Sequence, residues 1–137
     1  MELDENKIIC VGALGEVEFD KGIYIYAGSA LSSLKARVGR HFSKKKNLHW
    51  HIDYFLKEAR PIEALIIRGN ERMECLLNEM VSNLWGTQPS YPGFGSSDCS
   101  CLTHLHKAGV VNVKSLELFL PEKITTHDIF LKQENFI

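Results

Sequence analysis

No apolar run in this 137-residue chain approaches the length of a membrane helix, and the N-terminus has no signal-peptide pattern. These absences argue against a helical span, so no membrane partner is expected. Cysteine is scarce. Cys10, Cys75, Cys99 and Cys101 are neither numerous nor spaced like a secreted disulfide framework, and a reducing cytoplasm is the expected compartment. Net charge is almost absent, at −1, so no whole-protein field draws in nucleic acid. Internal repeats and low-complexity linkers are missing as well.

What is present is the composition of a soluble globular domain, 45% apolar and 24% charged, in a chain long enough to bury a real core. The charge is unevenly spread. Lys35, Arg37, Arg40, Lys44, Lys45 and Lys46 follow one another with no acid between them. The first twenty residues hold Glu2, Asp4, Glu5, Glu16, Glu18 and Asp20 against Lys7 alone. A neutral protein can still carry a locally positive groove. Lys44–Lys46 by themselves read as a solvated loop.

The densest signal is Gly22-Ile23-Tyr24-Ile25-Tyr26-Ala27-Gly28-Ser29-Ala30. It reads as a strand entering a glycine-marked turn, with both tyrosines on one face and both isoleucines on the other. An earlier strand over 7–11 is expected to pair with it as a hairpin, with Gly12 and Gly15 in the connection. Ser32 and Ser33 can cap a helix whose apolar stripe is Leu34, Val38 and Phe42, with Arg37 and His41 beside it and Gly39 weakening it. A second helix runs from Trp50 to Ala59 and stops before Pro61. Ala64 to Ile67 reads as a central strand, and Gly69 and Asn70 turn the chain. Met73, Leu76, Leu77, Met80, Val81 and Leu84 mark a third helix, which Gly86 ends. Residues 86–98 form a long loop, of the kind that often carries function. Cys101 to His106 can be a strand. The tail alternates weakly from Val110 to Leu120 and breaks at Pro121, and an apolar segment runs from Ile129 to Ile137.

The expected architecture is an α/β (α+β) fold with a small mixed or antiparallel central sheet of about three to four strands flanked by helices. Residues 1–106 are expected to form the domain, with 107–137 as a C-terminal extension packed on it.

Three constellations could carry chemistry. In the first, Arg37 can bind a phosphate through two bonds, and His41, one helical turn on, can share it or move a proton. Tyr26 can orient or deprotonate water, although a phenol is a weak base without a nearby cation. Glu74, as a lone carboxylate near a phosphate, suits Mg²⁺ (or Mn²⁺), because Mg²⁺ keeps most of its waters. The second is Cys99, Cys101, His104 and His106, whose types suit zinc. In a strand their parity would divide them into opposite faces. Cys75 reads instead as a small core residue. The third is His49-Trp50-His51-x-Asp53-Tyr54. It is either a helix start with Trp50 packed and Asp53 favoured by the helix dipole, or a place where a histidine meets phosphate and Trp50 meets a base. Ser96 and Ser97 in the Gly93–Asp98 loop can bind an anion or form a rigid turn.

Several of these segments together resemble one family. Gly22-x-Tyr24-x-Tyr26-x-Gly28-Ser29-Ala30, Leu34-Lys35-Ala36-Arg37 with His41, Leu48-His49-Trp50-His51-Ile52-Asp53-Tyr54, Glu74-Cys75, and Gly93-Phe94-Gly95-Ser96-Ser97-Asp98-Cys99-x-Cys101 occur in order. Over residues 7–106 the chain is similar to a GIY-YIG-like nuclease family carried as a domain of unknown function and sometimes fused to an endonuclease III-type repair glycosylase. The resemblance implies a metal-dependent endonuclease hydrolysing DNA phosphodiesters, with DNA repair or processing as its setting and a repair glycosylase as a protein partner. It implies that Tyr26 is the tyrosine of the YIG element, Arg37 the helix arginine, His41 a histidine found in some homing endonucleases, and Glu74 the metal-binding glutamate. The superfamily carries Gly-Ile-Tyr on an earlier strand, whereas here Gly22-Ile23-Tyr24 lies on the YIG strand itself. The earlier tyrosine is missing, or Tyr24 fills its place, or the natural start lies upstream. Lys35, Arg40, Lys44, Lys45, Lys46, His49, His51, Ser96 and Ser97 are the expected DNA contacts. The rival expectations are a nucleic-acid-binding module that keeps the fold without the chemistry, and a protein-interaction domain.

Overall fold

A computed structural model describes residues 1–29, 34–44, 47–66, 73–109 and 122–125. Ser32, Ser33, Lys45, Lys46, Ile67, Gly69, Asn70 and most of the tail lie outside them, as does the Lys35 side chain. No helix among the described residues is long and apolar enough to cross a membrane.

The fold is a mixed α+β arrangement. Strand β1 is Glu2–Leu3, β2 is Lys7–Cys10, β3 is Glu16–Phe19 and β4 is Gly22–Tyr26. Helix α1, Leu34–Phe42, has the bounds its apolar stripe predicts, and α2 follows at His51–Leu56. Then come β5 (Glu63–Ile66), α3 (Glu74–Ser82), β6 (Gln88–Pro89), β7 (Leu105–Ala108) and β8 (Glu122–Thr125). The main sheet is antiparallel and four-stranded, in the order β1-β4-β7-β6.

Two expected pairings are corrected. The partner of β2 is β3, not β4, and the two form a separate hairpin. Its turn is closed by Val11 N–H donating to the Gly15 carbonyl at 2.9 Å. Along β3, Val17 and Phe19 are buried while Glu16 and Glu18 face solvent, the alternation of a half-buried strand. The segment expected as a central strand, β5, instead pairs with β8 in a two-stranded sheet. β8 comes from the tail.

The core lies between the β2–β3 hairpin, α2 and the face of β4 that carries its tyrosines. Phe19, Phe55 and Phe94 are fully buried there, with edge-on ring contacts at 5.0–6.3 Å. Each such ring contributes roughly 1.5–3 kcal/mol by burial. Tyr24 belongs to this core: it is 3% exposed, packs edge-on against Phe19 and Phe55, and its hydroxyl donates to the Asp20 carbonyl at 2.6 Å. The opposite face of β4 and β7 carries Ile25 opposite His106. His106 Nε2 lies 3.0 Å from Asn78 Oδ1 on α3, and Asn78 Nδ2 donates to the Thr103 carbonyl at 2.7 Å. The buried face of α3 thus includes Asn78, while Leu76, expected inside, is 53% exposed.

The entry to α2 rests on Asp53. Its Oδ2 accepts from Arg40 Nη2 at 2.7 Å and from the backbone N–H groups of His49 and Trp50, each at 2.9 Å. Burial opposes this charge, but the Arg40 guanidinium and the two amides outweigh it and hold the carboxyl below the usual range. Arg40 also donates to the Asn47 carbonyl. The basic helix is therefore fastened to α2 through Arg40, which ties that residue to the fold.

Candidate active site and Cys-His cluster

Tyr26 ends β4, and its ring is held by backbone. A Cβ at Gly28 would stand 2.9 Å from Tyr26 Cε1, and one at Gly95 would stand 3.0 Å from Cε2. Phe94 and His41 approach the ring edge-on, at 6.4 and 6.1 Å between centroids. Gly95 also has φ +69 and would bring its Cβ within 3.2 Å of His104 Cβ. Gly95→Ala is expected to cost about 1–3 kcal/mol through backbone strain and crowding of the Tyr26 ring. Urea unfolding of the two proteins checks this.

Beside Tyr26, helix α1, the turn after β4 and the start of α3 come together. Arg37 and His41 come from α1, Ser29 from the turn after β4, and Glu74 from the start of α3. Ser29 Oγ donates to Glu74 Oε2 at 2.9 Å. The phenol is pushed up to about 12, chiefly by burial; Arg37 acts in the other direction, and Glu74, Asp53 and Asp98 add to the rise. The Arg37 guanidinium lies 3.9 Å from the Trp50 ring centroid, a cation–π contact, and no salt bridge holds it among the described residues. Tyr26, Ser29, Arg37 and His41 form part of the wall of a cavity of about 390 Å³, the rest of which is mostly apolar.

The remaining expected site residues divide. Tyr24 lines the same cavity but is held in the core with its hydroxyl on Asp20, so it does not join the phenol of Tyr26. Lys44, His49 and Ser97 are exposed. Ser96, expected to face an anion, is buried and donates to the Leu102 carbonyl at 3.4 Å, so it holds the loop together. His51, expected as a DNA contact, accepts the Gly95 N–H on Nδ1 at 2.8 Å. Trp50 is covered by Arg37 and Arg40 rather than left open for a base.

The His51 bond has a pH consequence. Burial lowers the affinity of this imidazole for a proton, and protonation at Nδ1 would remove the acceptor that Gly95 uses. The stabilisation is complete above the ordinary imidazole value of about 6.5 and is lost as pH falls below it toward the lower folded value. Melts at pH 7.5 and 5.5 are expected to show a smaller acid-induced drop in His51→Gln than in the unmodified chain.

A second cluster lies next to Glu74. Sγ of Cys75, Cys99 and Cys101 and a ring nitrogen of His104 all fall within 4.8 Å of one another, so the group can hold a metal ion. Cys75 is exposed as a residue and is not the core filler its helix position suggests. Hydrogen bonding to Cys101, loss of solvent and bonding to Cys99 push its thiol up to about 12. His106 is absent from the group, being buried against Asn78. Residues 99–104 form no strand, because β7 begins only at Leu105, so strand parity does not separate the two cysteines from His104.

Residues 1–123 match the sequence model of the family described as Domain of unknown function DUF123. The chain belongs to the DUF123 family. The match covers both the Tyr26 cleft and the Cys-His cluster, and reaches into the strand β8 of the tail. No curated protein and no solved structure gives a significant match to this DUF123 chain.

Two features of this DUF123 site escaped the sequence reading. Ser29, quoted only as part of a motif, is the link to Glu74. Cys75 joins a cluster whose other ligands lie far along the chain. Its one sequence signal is that it directly follows Glu74 on the first turn of α3.

Proposed function

We propose that this chain is an endonuclease-like domain that hydrolyses DNA phosphodiester bonds with Mg²⁺ or Mn²⁺, in DNA repair or processing. The observation that carries the reading is one cavity wall shared by Tyr26, Ser29, Arg37 and His41, with Glu74 joined to it through its hydrogen bond from Ser29. Arg37 would take the phosphate through its guanidinium and stabilise the charge that builds on the phosphoryl oxygens.

Glu74 and Ser29 offer only oxygen donors, which suit a hard cation such as Mg²⁺. A cation held there supplies charge neutralisation of the phosphate and a more acidic water. Tyr26 keeps its proton at neutral pH, so it would donate a hydrogen bond and orient the attacking water rather than deprotonate it. The proton from that water would pass to His41 or to solvent. As the water oxygen bonds to phosphorus, the P–O bond to the leaving strand would break, and the leaving oxygen would take a proton from His41 or from solvent. Exposed Lys44, His49 and Ser97 would meet the flanking backbone. A repair glycosylase remains the proposed protein partner.

One observation favours a second reading, a nucleic-acid-binding module without turnover. Tyr24 is committed to Asp20, which leaves Tyr26 as the phenol of β4 beside Arg37 in the cavity, and it is hard to ionise. Plasmid and branched DNA with Mg²⁺, Mn²⁺ or EDTA separates the two. Metal-dependent nicking supports the nuclease, whereas salt-sensitive binding with no turnover selects the module.

A further inference from the structure

We propose that Cys75, Cys99, Cys101 and His104 bind one structural Zn²⁺ ion. The claim stands whether or not the neighbouring cleft cleaves DNA. A tetrahedral zinc with Zn–S bonds of about 2.3 Å places its ligand atoms roughly 3.5–3.8 Å apart. Cys99 Sγ and Cys75 Sγ lie 3.3 and 3.9 Å from His104 Nε2, and all four donor atoms fall within 4.8 Å of one another.

The histidine is already oriented as a ligand. His104 is 1% exposed, and its Nδ1 lies 2.9 Å from the Ala27 carbonyl, an acceptor only. Nδ1 must therefore carry the proton, and Nε2 turns its lone pair toward the three thiols. A backbone carbonyl behind the ring is the usual partner that fixes a metal-bound imidazole. Three thiolates with one imidazole form a soft donor set, which selects zinc over Mg²⁺ or Ca²⁺. Four protein ligands close the site, which makes its role structural. Binding displaces one proton from each thiol, so three protons leave to solvent as the ion enters.

The ion would add a bond among parts of the fold already joined by the Ser29–Glu74 and Asn78–Thr103 hydrogen bonds. Cys75 lies on the first turn of α3, directly after Glu74. Cys99 and Cys101 lie in the irregular segment after the Gly95 turn. His104 accepts Ala27 N–H on its carbonyl at 3.1 Å and donates its own N–H to the Phe94 carbonyl at 2.7 Å. One ion thereby fixes the start of α3, the Gly95 loop and the end of β4. Those three segments carry Glu74, the clamp on Tyr26, and Tyr26 itself.

The test is metal analysis of the full chain purified under reducing conditions. About one zinc per chain is expected. Cobalt substitution should give the intense visible bands of a tetrahedral site and sulfur-to-cobalt charge transfer. In Cys75→Ser that charge transfer should fall by about one third if the site persists, or vanish with the metal. Stripping the ion with a chelator should lower Tm by about 10 °C or more, and Cys10→Ser, which alters the thiol outside the cluster, should keep its zinc. If the variants do not fold, the cobalt spectrum of the unmodified chain decides alone. The proposal is overturned if the reduced chain holds no zinc and takes up no cobalt. It is overturned equally if Cys75→Ser leaves metal content and spectrum unchanged.

Discussion

If the chain is the nuclease proposed, Arg37→Ala is expected to lower the single-turnover rate of DNA cleavage by about 10²–10³-fold, the loss typical of one well-placed donor to a developing oxyanion. Three features favour so large an effect. The guanidinium rests on the Trp50 ring, it has no salt bridge among the described residues, and Arg37 lines the same cavity as Tyr26. Its charge is therefore available for a phosphate. Glu74→Gln should cost a similar factor by a different route. The amide oxygen can still accept from Ser29, but the charge that would hold the cation is gone. Stability of Arg37→Ala should change little, because no buried ion pair is broken. Rate loss with an unchanged Tm separates a catalytic effect from a folding one.

Asp53→Ala destabilises the fold by about 3 kcal/mol. The carboxylate is fully buried, and one oxygen accepts three hydrogen bonds, two from backbone N–H groups at the start of α2. Alanine leaves both amides without that acceptor and Arg40 without that counter-charge. The Arg40 side chain is 26% exposed, so water recovers part of the loss, which places the cost at the low end for a broken buried pair. The carboxyl is held below its usual range in the folded chain. Its contribution is thus present above the ordinary carboxylate value of about 3.9 and disappears as pH falls through the lower folded value. Guanidinium unfolding at pH 7 and pH 2–3 reads both the cost and its disappearance. A loss under about 0.5 kcal/mol at pH 7 would mean that Arg40 and Asp53 are not coupled as described.

The elements most legible in the sequence are those whose burial follows a simple period. α1 has the bounds that Leu34, Val38 and Phe42 imply, and β4, Gly22–Tyr26, stops just short of the turn that Gly28 marks. β3 falls in the stretch that Gly12 and Gly15 mark as a connection. Yet Val17 and Phe19 alternate with the two glutamates as a half-buried strand requires. On α3 the hydropathy pattern placed Leu76 inside. A polar residue, Asn78, occupies the buried face instead, because Thr103 and His106 satisfy its amide, and a period of apolar residues cannot reveal that partnership.

The candidate site was legible in its letters more than in its links. Tyr26, Arg37, His41 and Glu74 could be named from motif and charge; the first three line one cavity, and Glu74 is hydrogen-bonded to Ser29 of the same wall. The division of labour between Tyr24 and Tyr26 could not. Both share a strand face, and the packing of Phe19 and Phe55 around Tyr24 together with its bond to the Asp20 carbonyl distinguishes core from cleft. The cysteines failed for a related reason. Side-chain parity is a rule about strands, and the chain from Cys99 to His104 turns back on itself. Cys75 arrives from a helix, which no local spacing could foresee.

The most direct test of the central claim is a paired measurement on one branched DNA substrate: single-turnover cleavage with Mg²⁺ and equilibrium binding in Ca²⁺. The unmodified chain, Arg37→Ala and Glu74→Gln would be compared. The account predicts cleavage by the unmodified chain and losses of about 10²-fold or more in both variants, with all three proteins still binding DNA. DNA binding without cleavage by the unmodified chain, or cleavage undiminished in both variants, would contradict it.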